Sequence, residues 1–167
     1  RLKEPVMPTF DVVSKVAMHE VDNAVQQTSK EITTRYDFRD TGASIERNDD
    51  GILLRANSEG RVEAAFSVLQ EKLVRRKVSL RSLDPQKMEP ASGGSFRQLV
   101  KLNQGISKEK AKDVVQFLKG TKLKVQAAIQ GDAVRISGKK KDDLQECIAS
   151  LRQQDFGIEL QYENFRD

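Results

Sequence analysis

From Leu123 to Ile129 every second residue is apolar (Leu123, Val125, Ala127, Ile129), and Lys122, Lys124, Gln126, Ala128 and Gln130 fill the alternate places. A period of two sends the first set to one face of a strand and the second set to the other. Gln130-Gly131-Asp132 supplies a turn, with Gly131 free to take a positive φ. In the return strand Val134 and Ile136 are expected inward, and Ala133, Arg135 and Ser137 outward. Gly138 stops the run, Lys139, Lys140 and Lys141 follow, and Asp142-Asp143 open a helix, where acidic residues suit the positive end of the dipole. The pattern predicts a hairpin feeding a helix, with one apolar face and one open face carrying Lys122, Lys124, Gln126 and Arg135. That face and its lysine-rich exit are the first candidate surface for an anionic partner.

The same reading extends along the chain. Phe10 to Val16 reads as a short strand, and Ala17 to Thr33 as a helix with Met18, Val21, Val25, Thr28 and Ile32 on one side. Ala43 to Arg47 alternates as a strand, Asn48-Asp49-Asp50-Gly51 makes a hairpin turn, and Ile52, Leu54 and Ala56 lie on the return strand. Val62, Ala65, Phe66, Leu69 and Leu73 mark a helix, and a strand is expected near Val78 to Leu83. Asp84 to Ser95 has linker composition, with two prolines, two adjacent glycines and no periodicity. The order then restarts: a strand from Phe96 to Leu102 and a helix capped by Ser107 with Ala111, Val114, Val115 and Leu118 on one stripe. The hairpin already described follows. Leu144, Cys147, Ile148 and Leu151 then form a last helical stripe, and Ile158, Leu160 and Tyr162 a last strand.

Each half is therefore β-α-β-β-α-β, and the residues carry a trace of duplication. Leu54-Arg55-Ala56 matches Val134-Arg135-Ile136 eighty positions on, and Val62, Ala65, Phe66 and Leu69 match Leu144, Cys147, Ile148 and Leu151 eighty-two positions on. A repeat this long is one domain copied. The expected class is α+β: two tandem ferredoxin-like domains, at 7–84 and 96–167, joined by a linker at 85–95. Residues 1–6 carry no periodic signal and read as an upstream extension or expression remnant ahead of Met7-Pro8. A fold of this kind hosts RNA-binding modules, metal chaperones, regulatory domains and enzymes, so function must come from particular residues.

Composition narrows the classes. Only 37% of the residues are hydrophobic and 32% are charged, with no Trp, so the core must be aliphatic. No run of 18 apolar residues exists, and no apolar segment follows the basic start, so neither a membrane span nor a signal peptide is expected. A single cysteine allows no intrachain disulfide and fits a reducing compartment, so a cytoplasmic protein is expected. The net charge of +4 is concentrated: residues 1–93 hold 15 basic and 15 acidic side chains, residues 94–167 hold 14 and 10. Between Lys108 and Lys141 ten basic residues face three acidic ones. Such a run steers an anion, a nucleotide or a nucleic acid, or serves as a solvated surface.

Catalysis and metal binding find little to work with. One histidine and one cysteine make no sulfur/nitrogen metal site, and no cofactor is expected. His19 reads as a surface residue near a helix start and Cys147 as core. Neither phosphate-binding glycine motif occurs, and no Ser/His/acid or Cys/His set assembles without His19, so the chain is expected to be no enzyme. RNA recognition by base stacking needs aromatics on the central strands; Arg97 to Lys101 and Ala133 to Ile136 place none outward. Aromatic and arginine residues meet instead in Arg35-Tyr36-Asp37-Phe38-Arg39-Asp40 and in the terminal Asn164-Phe165-Arg166-Asp167. Arg35 and Arg39 have an R-x-x-x-R spacing in which two guanidinium forks bridge phosphates or take guanine O6 and N7. The alternative is that these arginines pair with Asp37, Asp40 or the C-terminal carboxylate and hold structure together.

Five blocks in order carry a resemblance: Met7-Pro8-Thr9-Phe10-Asp11-Val12-Val13-Ser14, Thr34 to Arg39, Lys122 to Ala127, Gly138 to Gln145, and the terminal Asn164 to Asp167. Together they resemble the bacterial YajQ family over Met7 to Asp167. The resemblance implies two ferredoxin-like domains whose first strands, Phe10 to Val16 and Phe96 to Leu102, are exchanged between the halves. It also implies nucleotide binding, in some members of cyclic di-GMP, with action through a transcription regulator or on RNA, and no catalytic residues. Tyr36 stands where Phe is expected in most relatives. On the residues and the resemblance together, the candidate nucleotide-binding set is Arg35, Asp37, Phe38 and Arg39, with Phe38 stacking, then Lys122, Lys124, Gln126, Arg135, Lys139, Lys140 and Lys141, and Arg166. The competing expectation is an RNA- or protein-binding module using the basic open sheet faces.

Overall fold

The computed structural model describes residues 7–167, so the reading of residues 1–6 lies outside the described residues. The elements run β1 (Thr9–Val13), α1 (Met18–Thr34), β2 (Ser44–Asn48), β3 (Gly51–Ala56), α2 (Glu59–Arg75), β4 (Leu83–Pro85) and β5 (Glu89–Pro90). They continue with β6 (Phe96–Leu102), α3 (Lys108–Lys119), β7 (Val125–Gln130), β8 (Ala133–Gly138), α4 (Lys141–Gln153) and β9 (Gln161–Arg166).

The described residues form two compact units, Val16–Asn103 and a second made of residues 7–15 together with Gln104–Asp167. In the first unit the strand order is β2-β3-β6-β4, with β5 also on β6; in the second it is β7-β8-β1-β9. All pairings are antiparallel. Both orders are the ferredoxin-like one, but the place of the first strand is taken each time by the first strand of the other half. Phe10 and Val12 of β1 lie opposite Ile136 and Val134 of β8, while Val100 of β6 lies opposite Ile52 of β3. The units therefore divide the chain differently from the expected 7–84 and 96–167. The stretch expected as a linker is also tied down: Glu89 and Pro90 pair with Arg97 and Phe96, and Gln86 N–H donates to the Leu99 carbonyl at 2.8 Å.

Each unit buries one aliphatic core between its sheet and two helices. Val21, Ala24, Ile32, Val62, Leu69 and Leu73 from α1 and α2 meet Ile52, Leu54 and Val100 in one. Ala111, Val114, Leu144, Cys147 and Leu151 from α3 and α4 meet Phe10, Val12, Val134 and Ile136 in the other. Helix starts follow local chemistry: Ser58 and Ser107 accept from the N–H of Arg61 and Lys110, both at 3.2 Å, relieving an orphan donor of the first turn. The hairpin at Asn48 closes as its side-chain oxygen accepts from the N–H of Asp50 and of Gly51. Gly51 is fixed there, at φ 141°, because a Cβ would collide with the Val100 carbonyl oxygen.

Three expected strands shift. Instead of a strand from Val78, Ser79 caps a single 3₁₀ turn at Leu80–Ser82 before β4. The last strand begins at Gln161 rather than near Ile158, because β1 ends at Val13, opposite Gln161, and offers no partner further back. In β7 the alternation holds through Ala127 but Ile129 is 42% exposed, since β7 is an edge strand with a neighbour on one side only.

Candidate functional site

The hairpin register decides how the lysines meet. Val125 lies opposite Gly138 and Gln126 opposite Ser137, so Lys122 and Lys124, just before β7, come beside Lys139 and Lys140, just after β8. Gly138 permits this closeness. A Cβ on it would stand 3.2 Å from Leu144 Cδ2 and 3.3 Å from the Lys124 carbonyl oxygen, tighter than side chains normally pack. The four lysines, with Gln126, Ser137, Leu123 and Val125, line a recess of about 600 Å³ in the unit that contains β1. Met7, Asp143 and Glu146 complete it.

Among the described residues none of these four lysines makes an ion pair. The recess also holds the start of α4, whose N-cap residue is Lys140 and whose first turn no side chain caps. Four ammonium groups without ion pairs outnumber Asp143 and Glu146 in the recess, and with the helix start, itself carrying Asp142 and Asp143, they leave a net positive field that draws anions.

Three candidates on this side lie apart from the recess lining. Arg135, opposite Asp11 across β8 and β1, donates to its carboxylate at 2.9 Å, and Asn164 donates to the same group at 2.9 Å. The guanidinium beside Asp11 holds that carboxyl below the usual range. Arg135 is thus a cross-strand ion pair of the open face rather than a free cation on it. Lys141 reaches the Asp167 side chain at 2.7 Å, and Arg166 donates to Asn164 Oδ1 at 3.3 Å.

The arginine block lies in the Val16–Asn103 unit, at the end of α1, and folds into a 3₁₀ turn at Tyr36–Phe38. Arg35, Phe38 and Arg39 line a recess of about 370 Å³ with Tyr36, Asp40 and Ala43. Their roles differ from the expected ones. Arg35 donates to both carboxylate oxygens of Asp37, at 2.9 and 2.6 Å, and to Glu31 at 2.9 Å. Its hydrogen bonds hold the carboxyls of Asp37 and, after Lys72, of Glu31 below the usual range. Phe38 is 3% exposed and belongs to the core, so it cannot stack on a ligand. The exposed ring is Tyr36, at 85%, with the Arg39 guanidinium 5.9 Å from its centre; Arg39 makes no ion pair among the described residues. Tyr36 is the residue that sequence reasoning passed over. The signal lay in the tight turn, which sends one of its two rings inward and leaves the other out.

The remaining reactive groups are quiet. Cys147 is fully buried, and burial pushes its thiol up to about 11, which keeps it protonated. His19 is exposed. Among the described residues no group of three His, Cys, Asp or Glu side chains could hold a metal ion, and no helix is long and apolar enough to cross a membrane.

The model of the family described as nucleotide-binding protein YajQ-like matches residues 8–166. The chain belongs to the YajQ-like family. A relative from Anaeromyxobacter sp. strain K, named a nucleotide-binding protein, is 57% identical over 162 residues, 96% of this chain and 100% of the relative. A protein of the same printed name from Trichlorobacter lovleyi is 50% identical over 161 residues, 96% of this chain and 100% of its own. One from Desulfitobacterium hafniense is 49% identical over 158 residues, 95% and 97% of the two chains. The YajQ-like match thus spans both units, including the lysine recess and the arginine block.

Proposed function

We propose that the chain is a non-enzymatic, cytoplasmic nucleotide-binding protein that holds its ligand by phosphate at the lysine recess. We further propose cyclic di-GMP as that ligand and control of gene expression, through a transcription regulator or RNA, as the output. The observation that carries the reading is the set of four lysines without ion pairs, gathered at the uncapped start of α4 around a recess of about 600 Å³. A phosphate there gains charge-assisted hydrogen bonds from ammonium groups and the field of the helix end. The names of the relatives, all nucleotide-binding proteins, agree with it. The arginine block of the other unit is a separate candidate, where Arg39 offers a guanidinium fork and Tyr36 an exposed ring. The alternative of an RNA- or protein-binding module on the open sheet faces draws less support. Of the open-face cations expected to serve it in the second unit, Lys122, Lys124 and Arg135, the last is already bound to Asp11.

Calorimetric titration with cyclic di-GMP, GTP and ATP tests the reading. Binding of cyclic di-GMP at micromolar affinity or better is expected, with Lys122→Ala/Lys124→Ala weakening it by about tenfold or more as two charge-assisted contacts go. RNA binding that falls steeply with salt, and no response to any nucleotide, would favour the alternative. Silence across nucleotides would remove the reading, and silence to RNA as well would leave only the protein-binding form of the alternative.

A further inference from the structure

An edge strand with free backbone donors and acceptors invites pairing with another chain, and proteins blunt such edges with charge, proline, bulges or shortness. Three of the four sheet-end strands here carry such devices. β2 has Glu46 and Arg47. β4 is three residues long and ends on Pro85. β9 holds Glu163 and Arg166, has Asn164 at positive φ, and shifts register against β1. β7 has none. Its sequence, Val-Gln-Ala-Ala-Ile-Gln, contains no charge, proline or glycine, and it pairs β8 in unbroken register from Val125–Gly138 to Gln130–Ala133. Its outer side chains remain in water, Ile129 at 42% exposure.

We propose that β7 pairs with β7 of a second copy, antiparallel, about a twofold axis at Ala127, joining two four-stranded sheets into one of eight. The pleat restricts the register. Val125, Ala127 and Ile129 lie on the helix side and Gln126 and Ala128 on the open side, and facing residues must share a side. An axis at Ala127 satisfies this. It sets Val125 against Ile129 of the second copy, twice, so that the exposed isoleucine is covered, and it puts the small Ala127 at the centre where the strands approach. Charge permits a second copy of the same chain as occupant. Lys124 lies three residues from the axis, so the two Lys124 residues stand about 20 Å apart at 3.4 Å per residue, well beyond a screening length of about 8 Å. Opposite each Lys124 lies an uncharged Gln130. A single strand pair is a small interface, so the dimer is concentration-dependent.

Sedimentation velocity of the full chain from about 5 to 500 µM, a span suited to a small interface, tests the proposal. The 18.8 kDa chain should move toward twice its mass as concentration rises. Ala128→Lys places two lysines at diagonal positions about 7 Å apart along the strands across the axis and should raise the dimer dissociation constant at least tenfold. Gln26→Lys, the same charge on exposed α1, should behave as wild type. Identical profiles for wild type and Ala128→Lys, whether monomeric or dimeric, would overturn the proposal, as would equal loss in Gln26→Lys. Should Ala128→Lys fail to fold, amide exchange at Val125–Gln130 in the wild type decides. It must slow as concentration rises, and exchange independent of concentration would overturn the proposal.

Discussion

Replacing Phe10 by alanine asks which sheet β1 completes. The ring has no exposed surface, stands edge-on to Tyr162 at 6.1 Å between centres, and stacks on Phe165 at 5.7 Å. Truncating a buried phenylalanine costs about 3–5 kcal/mol. The stacking partner Phe165 is itself 58% exposed, which places the cost near the middle of that range, about 4 kcal/mol. Against roughly 5–15 kcal/mol for a domain, that is between about a quarter and four fifths of the stability. At 1.4 kcal/mol per decade the opening equilibrium rises by nearly a thousandfold, a change read directly by amide hydrogen exchange. In Phe10→Ala the amides of Val134 and Ile136 in β8 should lose that protection. Those of Ile52 and Leu54 in β3 should stay within about threefold of wild type, because β1 contributes nothing to their sheet. Loss concentrated at Ile52 and Leu54 would refute the reasoning, since it would mean that β1 pairs within its own half.

Three further outcomes follow from single sites. Phe38→Ala should destabilise by about 3–5 kcal/mol, and Tyr36→Ala by no more than about 0.5 kcal/mol, in urea unfolding; equal effects would show that the two rings had been assigned wrongly. Arg135 lowers the Asp11 carboxyl, so the pair stabilises above the unfolded carboxylate value of about 3.9 and the contribution is lost as pH falls through the lower folded value. Asp11→Asn should accordingly be less stable than wild type at pH 7, with the gap closing below about pH 4; a gap that widened on acidification would contradict the ion pair. Cys147, buried and with its thiol pushed up to about 11, should be alkylated by iodoacetamide at least about a hundredfold more slowly in the native chain than in urea, by mass spectrometry.

Much of the fold was legible because the pattern reports burial. Val134 and Ile136, or Leu144, Cys147, Ile148 and Leu151, go inward as their spacing required. What a period of two cannot report is the neighbour. Val12 needs an apolar environment, and either sheet would supply one, so the exchange of β1 and β6 came from family likeness and not from alternation. The prolines at 85 and 90 read as linker because proline cannot donate to a ladder, yet both tolerate short edge pairings to β6. At the candidate site the lysines were found as a run, and the register that gathers four of them while sending Lys141 to Asp167 was not. Arg35 and Phe38 were over-read for the same reason: a three-residue turn has no periodicity to say which of its side chains the core will take.

The most direct check on the lysine recess is amide chemical-shift mapping of the isotope-labelled full chain during titration with cyclic di-GMP. The account predicts saturable shifts at Lys122–Gln126 and at Gly138–Asp143, and their loss in Lys122→Ala/Lys124→Ala. Saturable shifts elsewhere with these two segments unmoved, or no saturable shifts at all, would contradict it.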